Sequence, residues 1–235
     1  MTITVGADTY LSLSDAYTYH QNKGNTTWTT YRKTITSIVT HADGISVTTL
    51  TDNGYSEGDR VSLYGTTNYN QVGEVKTIVS TKIFTLDISY VSDENSGFCV
   101  DEILEVCLRK ATEWIDNHPD HKGNWKGYIT STLQLLSFPR SGLYDEEGRS
   151  FTTSEIPTVI ESACAEMALK ALSETIFPDI GAGSVGLKRR RIDVIEKEWF
   201  APTLSTVRKK YDYVDNLISG LLNSNKGSVL LIKSY

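Results

Sequence analysis

The sequence predicts an α+β chain: a mainly helical domain of about four helices plus an extended arm, interrupted by a small all-β barrel or sandwich. Three observations carry this expectation. Apolar residues recur at spacings of three and four after residue 101 and again after residue 157. Residues 34–100 are instead rich in Thr, Val, Ile and Tyr and are punctuated by Asp43-Gly44, Asn53-Gly54, Gly58 and Gly73, a strand-and-turn pattern. The segment 135–148 lies between the two later helical patterns and reads as a chain of turns.

At the start, Ser12 and Asp15 have the spacing of a capping box, which predicts a short helix through Tyr19 that Gly24 and Asn25 end. Trp28 and Tyr31 then supply large apolar area to anchor the segment on a core. The strand candidates are 35–41, 45–50, 60–64, 74–79, 84–89 and 98–100, short and evenly spaced as in a closed barrel or sandwich. Asp101 can cap the next helix, in which Leu104, Cys107, Leu108, Ala111, Trp114 and Ile115 share one face before His118-Pro119 stops it. Pro157 starts a third helix. Its face of Ile160, Ala163, Cys164, Met167, Ala168, Ala171 and Leu172 is made mostly of small residues, which lets a neighbour approach closely. After Phe177-Pro178, the glycines at 181, 183 and 186 lead into an extended arm or hairpin over 181–200. Leu204, Val207, Tyr211, Val214, Ile218 and Leu221 alternate threes and fours, as the seam of a long packed helix does. Domain bounds follow: a discontinuous helical domain over 1–33 and 101–222, an inserted β domain over 34–100, and a docking tail over 223–235 with the apolar run Val229-Leu230-Leu231-Ile232.

With 235 residues, 39% of them hydrophobic and 22% charged, the chain can bury a sizeable core. It has no basic start followed by an apolar run, and no apolar stretch near the roughly 20 residues of a membrane helix, which argues against secretion or membrane spanning. Cys99, Cys107 and Cys164 are odd in number and widely spaced, as expected of reduced thiols, with Cys164 on an apolar face. A net charge of −6 argues against a protein whose main task is gripping phosphates. Residues 34–100 hold eight acidic and three basic residues, so the β segment carries −5 of it. The one concentrated basic run is Lys188-Arg189-Arg190-Arg191, and such a run is most often a solvated face.

Catalytic constellations are hard to find, and no cofactor is called for. His118 and His121 flank Pro119 without a nearby cysteine or a helical frame, which reads as a solvated loop pair and not as metal ligands. Gly181-Ala182-Gly183-Ser184-Val185-Gly186 has the dinucleotide spacing but follows a helix where a strand is required. Asp145, Glu146 and Glu147 read as a solvated acidic turn. A non-enzymatic protein is the expectation. Single-stranded nucleic-acid binding is the alternative, resting on Lys188–Arg191 beside Trp199 and Phe200, or on Trp125-Lys126 with Tyr128.

The residues Ser14-Asp15-Ala16-Tyr17, Trp28, Leu108, Ala111-Thr112, Trp114-Ile115-Asp116, Gly127, then Leu135-Leu136-Ser137-Phe138-Pro139-Arg140-Ser141-Gly142 with Asp145 and Gly148, Ile156-Pro157 and the helix 163–172 together resemble a group of tailed-phage proteins known as DnaT-like single-stranded DNA-binding proteins. The Phe-Pro-Arg-Ser-Gly block, with Trp more usual at position 138, followed by Ile-Pro is the most specific part. The resemblance spans residues 10–32 and 101–222, and the chain departs from it through 34–100. It implies a virion protein of the head–tail junction, assembled in the host cytoplasm, that acts as a head-to-tail adaptor. A ring of about twelve copies would dock below the portal protein and extend the channel for double-stranded DNA, which it does not bind by sequence. The ring would offer a surface to the neck, stopper or tail protein. Within that picture Arg140, Lys188, Arg189, Arg190, Arg191, Trp199, Val229, Leu230, Leu231 and Ile232 are interface candidates. Arg140 has two readings: an intersubunit ion pair, or a bidentate bond to a local carboxylate or helix-end carbonyl that fixes the turn.

Overall fold

Alternating inward and outward residues make the strands of 34–100 half-buried, and in the computed structural model they bury that face by closing on themselves. The structure describes residues 3–177, the backbone of 189–192 and 195–198, and residues 211–223. Six strands, β1 (Lys33–His41), β2 (Gly44–Thr49), β3 (Arg60–Tyr64), β4 (Val72–Ser80), β5 (Ile83–Leu86) and β6 (Phe98–Asp101), form a closed barrel in the order β1-β2-β5-β4-β3-β6. All neighbours are antiparallel, and β6 returns to β1 through Lys33 opposite Cys99 and Thr34 opposite Phe98. Along β2, Ile45, Val47 and Thr49 alternate inward. In β1, Ile35 and Ile38 both reach the interior although they are three apart, because a register break between Ile35 and Ser37 inserts one residue. Val61, Leu63, Tyr69, Val75, Phe84, Leu86, Ile88 and Cys99 complete this core. The β1–β2 turn requires glycine: at φ +132° a Cβ on Gly44 would lie 2.4 Å from the Leu86 carbonyl oxygen.

The helical layer is built onto the barrel wall. Along β6, Cys99 joins the barrel core while the next residue, Val100, points the other way into the helical core. The Asp101 carboxylate accepts the Ile103 N–H at 2.8 Å as α3 (Ile103–Asn117) begins. Within the junction, the Ser62 hydroxyl of β3 donates to the Glu105 carboxylate of α3, which Arg109 approaches at 3.0 Å, and Arg60 pairs with Glu102 at 2.6 Å. Glu105 is fully buried, and burial pushes its carboxyl above the ordinary range despite Ser62 and Arg109.

Helix α1 (Leu13–Lys23) starts where the Ser12 hydroxyl accepts the Asp15 N–H at 3.1 Å, and ends at Gly24 in the left-handed region. A single turn, α2 (Thr26–Thr29), buries Trp28. The small residues Ala163, Cys164, Ala165 and Ala168 of α4 (Thr158–Ser173) pack against Leu104, Cys107, Leu108, Ala111 and Ile115 of α3. A short α5 (Asp212–Ile218) with a 3-10 turn (Ser219–Leu221) adds Val214, Ile218 and Leu221 to the same core. Two further ladders are short hairpins: β7 (Tyr128–Ile129) with β8 (Arg140–Ser141), and β9 (Arg189–Ile192) with β10 (Ile195–Glu198).

The expectation of a mainly helical adaptor domain is overturned. About 30% of the described residues are helical and 26% are strand, and the five α-helices are short. Physically, the three-and-four spacing over 204–221 outlasts the helix: α5 spans only Asp212–Ile218 and tightens into a 3-10 turn at Ser219, while 204–210 lie outside the described residues. Between α3 and α4, forty residues without a helix run as turns around β7 and β8. The choice between barrel and sandwich also resolves, since the β6–β1 ladder closes the sheet.

Candidate functional site

The segment between α3 and α4 is where the sequence placed its most particular motif, and its geometry begins with an aromatic cluster. His118 and His121 are buried, correcting their reading as a solvated pair. Trp114 stacks on His118 with ring centroids 4.7 Å apart, His118 on His121 at 4.6 Å and His121 on Trp125 at 5.5 Å. His121 Nε2 lies 3.3 Å from the Asp215 carboxylate of α5, and its Nδ1 3.3 Å from the Ile115 carbonyl. The cluster therefore ties the end of α3 to α5. Among the described residues, no group of three or more His, Cys, Asp or Glu is placed to hold a metal ion.

Phe138 is fully buried, edge-on to both Tyr10 at 5.8 Å and Trp125 at 4.9 Å, and its bond to Pro139 is cis. The Tyr10 hydroxyl donates to the Asp116 carboxylate and accepts the Phe138 N–H at 3.3 Å. Asp116 also accepts the Ser137 N–H at 3.1 Å, and burial pushes its carboxyl up. Arg140 completes the lock. Its Nε donates to the Lys126 carbonyl at 2.7 Å, one Nη to Gly127 at 2.8 Å and the other to Ser137 at 3.2 Å. The guanidinium is thus spent on three local carbonyls, which supports the turn-fixing reading. Gly127, at φ +65°, brings the two strands close enough that a Cβ would sit 2.3 Å from the Ser141 carbonyl oxygen.

What this lock holds up is a loop, residues 130–139, closing the β7–β8 hairpin. Gln134 shapes it: its Oε1 accepts from the Thr130 hydroxyl at 2.8 Å, and its Nε2 donates to the carbonyls of Leu136 at 2.7 Å and Pro139 at 2.9 Å. Leu136 turns toward the core, while Leu133 and Leu135 are 88% and 83% exposed and Tyr128 is 66% exposed. From Gly127 to Pro139 no residue is charged. An uncharged tip that exposes Leu133 and Leu135 is therefore braced by the Gln134 and Arg140 bonds. The sequence pattern does not single out Leu133, and it marks Leu135 only as the start of the 135–148 turns.

The other predicted residues fall elsewhere. Arg189, Arg190 and Arg191 occupy consecutive positions of β9, where the ladder sets Arg191 opposite Glu196, Arg190 opposite Lys197 and Arg189 opposite Glu198. Acidic register positions thus alternate along the basic run. Lys188, Trp199, the Gly181–Gly186 motif and Val229, Leu230, Leu231 and Ile232 lie outside the described residues. Of the second basic-aromatic group, Trp125 is buried and Lys126 donates to the Gly220 carbonyl at 2.7 Å, so only Tyr128 offers a face to solvent. Elsewhere cations of the chain cover its own surface rings: Arg32 lies 3.2 Å from the Tyr17 ring centre, and Lys126 4.7 Å from that of Tyr144. The acidic turn is organised by Asp145, which accepts the N–H groups of Glu147 and Arg149 and pairs with the Arg149 guanidinium at 2.7 Å; these bonds hold its carboxyl low. No described helix is long and apolar enough to cross a membrane.

A family model described as "Putative DnaT-like ssDNA binding protein" matches residues 66–233, from the second half of the barrel through the helical layer into the tail. No curated protein and no solved structure matches.

Proposed function

Starting from the chain's membership of the DnaT-like single-stranded DNA-binding protein family, to which the match over most of its length assigns it, we propose that it is a structural assembly protein, a head-to-tail adaptor that forms a ring below a phage portal. The observation that carries this reading is the apolar hairpin tip with Leu133 and Leu135, held out by the Arg140 and Gln134 bonds. Leu133 and Leu135 share this hairpin with the exposed Tyr128 and Ile129, and a group of exposed apolar residues on one braced element is the kind of surface a partner covers. The sequence pattern around Phe138-Pro139-Arg140 supplies the phage assignment, and the family description names binding, not a reaction. Portal, neck or tail proteins and further copies of this chain are the partners in this reading, and double-stranded DNA passes through without specific contacts. The overall net charge of −6 suits such a passage, because walls of like charge do not hold phosphates, while the inserted barrel would lie on the ring exterior.

A second reading, single-stranded DNA binding, is favoured by the family's description. Its candidate contact is the β9–β10 hairpin with Arg189, Arg190 and Arg191, next to Trp199 in the sequence. Against it stand the net charge of −6 and the pairing of described cations with local acceptors. Two assays on the same purified chain separate the readings. The adaptor reading expects the chain to co-sediment with portal-bearing heads and to leave labelled single-stranded DNA unshifted at physiological salt. A shift that weakens steeply with salt, without binding to heads, would establish the second instead.

A further inference from the structure

We infer that the tip of the β7–β8 hairpin is the seat for the apolar run Val229-Leu230-Leu231-Ile232 from the tail of a second copy of this chain. The tip is exposed at Tyr128, Ile129, Leu133 and Leu135, and residues 127–139 carry no charge. The tail offers a matching composition: residues 227–232 are uncharged and four in succession are aliphatic. Both segments carry aliphatic residues, and neither carries a charge that would oppose their contact.

The place where the described chain ends selects a neighbour over the same subunit. Leu222 forms an antiparallel bridge with Trp125, the Asn223 N–H donates to the Asn124 carbonyl at 2.8 Å, and the Asn223 side chain donates to the Trp125 carbonyl at 3.2 Å. Because this pairing is antiparallel, residues 221–223 run back along 126, 125 and 124, heading away from Tyr128 and the tip where the described chain ends. Five residues, 224–228, separate Asn223 from the apolar run, a reach of roughly 20 Å at full extension. To cover its own tip the chain would have to reverse within that spacer. To reach a neighbour's tip it need only continue. A tail from one copy entering a tip on the next is a head-to-tail contact, which closes into a ring when repeated around an axis. The contact deepens the adaptor reading and rests on it only for its purpose, because the test below needs neither a portal nor a ring.

The experiment uses a fluorescently labelled peptide of residues 224–235, titrated by anisotropy into the full chain, into a chain ending at Asn223, and into the full chain carrying Leu133→Asp and Leu135→Asp. The full chain is kept dilute enough to sediment as a monomer. Both substituted positions are exposed, so an unchanged thermal transition certifies the double variant's fold. The expected result is binding to the full and shortened chains within about twofold of each other, and at least tenfold weaker binding to the double variant, the loss expected when aliphatic contacts are replaced by buried charge. No binding to either unsubstituted chain, or equal binding by the double variant, overturns the proposal. Binding to the shortened chain alone would show that each tail covers its own tip, and would overturn the assignment to a neighbour. A failed peptide test with intact attachment to heads would discard this contact and keep the adaptor reading.

Discussion

Removing the Arg140 guanidinium is the sharpest local perturbation. In the folded chain it donates to three carbonyls, those of Lys126, Gly127 and Ser137, at 2.7, 2.8 and 3.2 Å. A charged hydrogen bond contributes about 1.5–3 kcal/mol when its partner is left dry, but this side chain is half-buried and water can reach part of the vacated site, so Arg140→Ala should cost about 2–4 kcal/mol. For a chain of this size that corresponds to a fall in Tm of roughly 5–12 °C. Arg140→Lys keeps the charge but not the fork, so it should recover only about half of the loss. Urea titration followed by tryptophan fluorescence suits the measurement, since Trp114 and Trp125 lie in the cluster beneath the hairpin. The hairpin tip should also become more sensitive to protease in the alanine variant. Stability within about 0.5 kcal/mol of the parent, the range of an ordinary surface substitution, would refute the claim that this residue locks the connector.

Phe138→Ala empties a fully buried site between Tyr10 and Trp125 and should cost about 3–5 kcal/mol by chemical denaturation; a cost under about 1 kcal/mol would mean the ring is not a core element. The buried Glu105 gives a pH signature. Its folded pKa is raised, so above the ordinary glutamate range the folded state binds more protons than the unfolded state, and its contribution to stability falls as pH rises through the raised value. Glu105→Gln should remove that fall, measured as the difference in unfolding free energy between parent and variant from pH 4.5 upward; parallel curves would contradict it. Burial pushes the thiols of Cys99 and Cys164 up to about 12 and that of Cys107 up to about 11, so none should react with an alkylating reagent at neutral pH until the chain is unfolded. Rapid labelling of native protein, read by mass spectrometry, would show that the cores open. A chain lacking 228–235 should keep its thermal transition and lose attachment to portal-bearing heads; attachment at the parental level would remove the tail from the account.

The parts of the molecule that the sequence displayed are those whose patterns are local. Period-two alternation at Ile45, Val47 and Thr49 marks β2, and the Ser12–Asp15 spacing marks the start of α1. The break in β1 was not visible, because Ile35 and Ile38 would lie on opposite faces of a regular strand and only the partner strand reveals the inserted residue. The connector was harder still. His118 and His121 sit in a polar stretch between Trp114 and Trp125, and the distant Asp215 of α5 bonds His121, a partner that no local pattern shows. Leu133 and Leu135 show the converse, since these aliphatic residues are left in solvent by a loop whose shape the Gln134 bonds set. Arg140 stood out in the sequence motif, but its partners are carbonyls from residues up to fourteen positions away, which no local pattern reveals. The Lys188–Arg191 run looked uniformly basic until the β9–β10 register set Glu196 and Glu198 opposite two of its members.

Mass measurement of the purified chain, alone and mixed with portal-bearing heads, tests the central claim most directly. The adaptor account predicts a monomer in dilute solution and a fixed number of copies bound per portal, with neither affected by single-stranded DNA. Absence of any bound copies, together with a defined complex on single-stranded DNA, would contradict it.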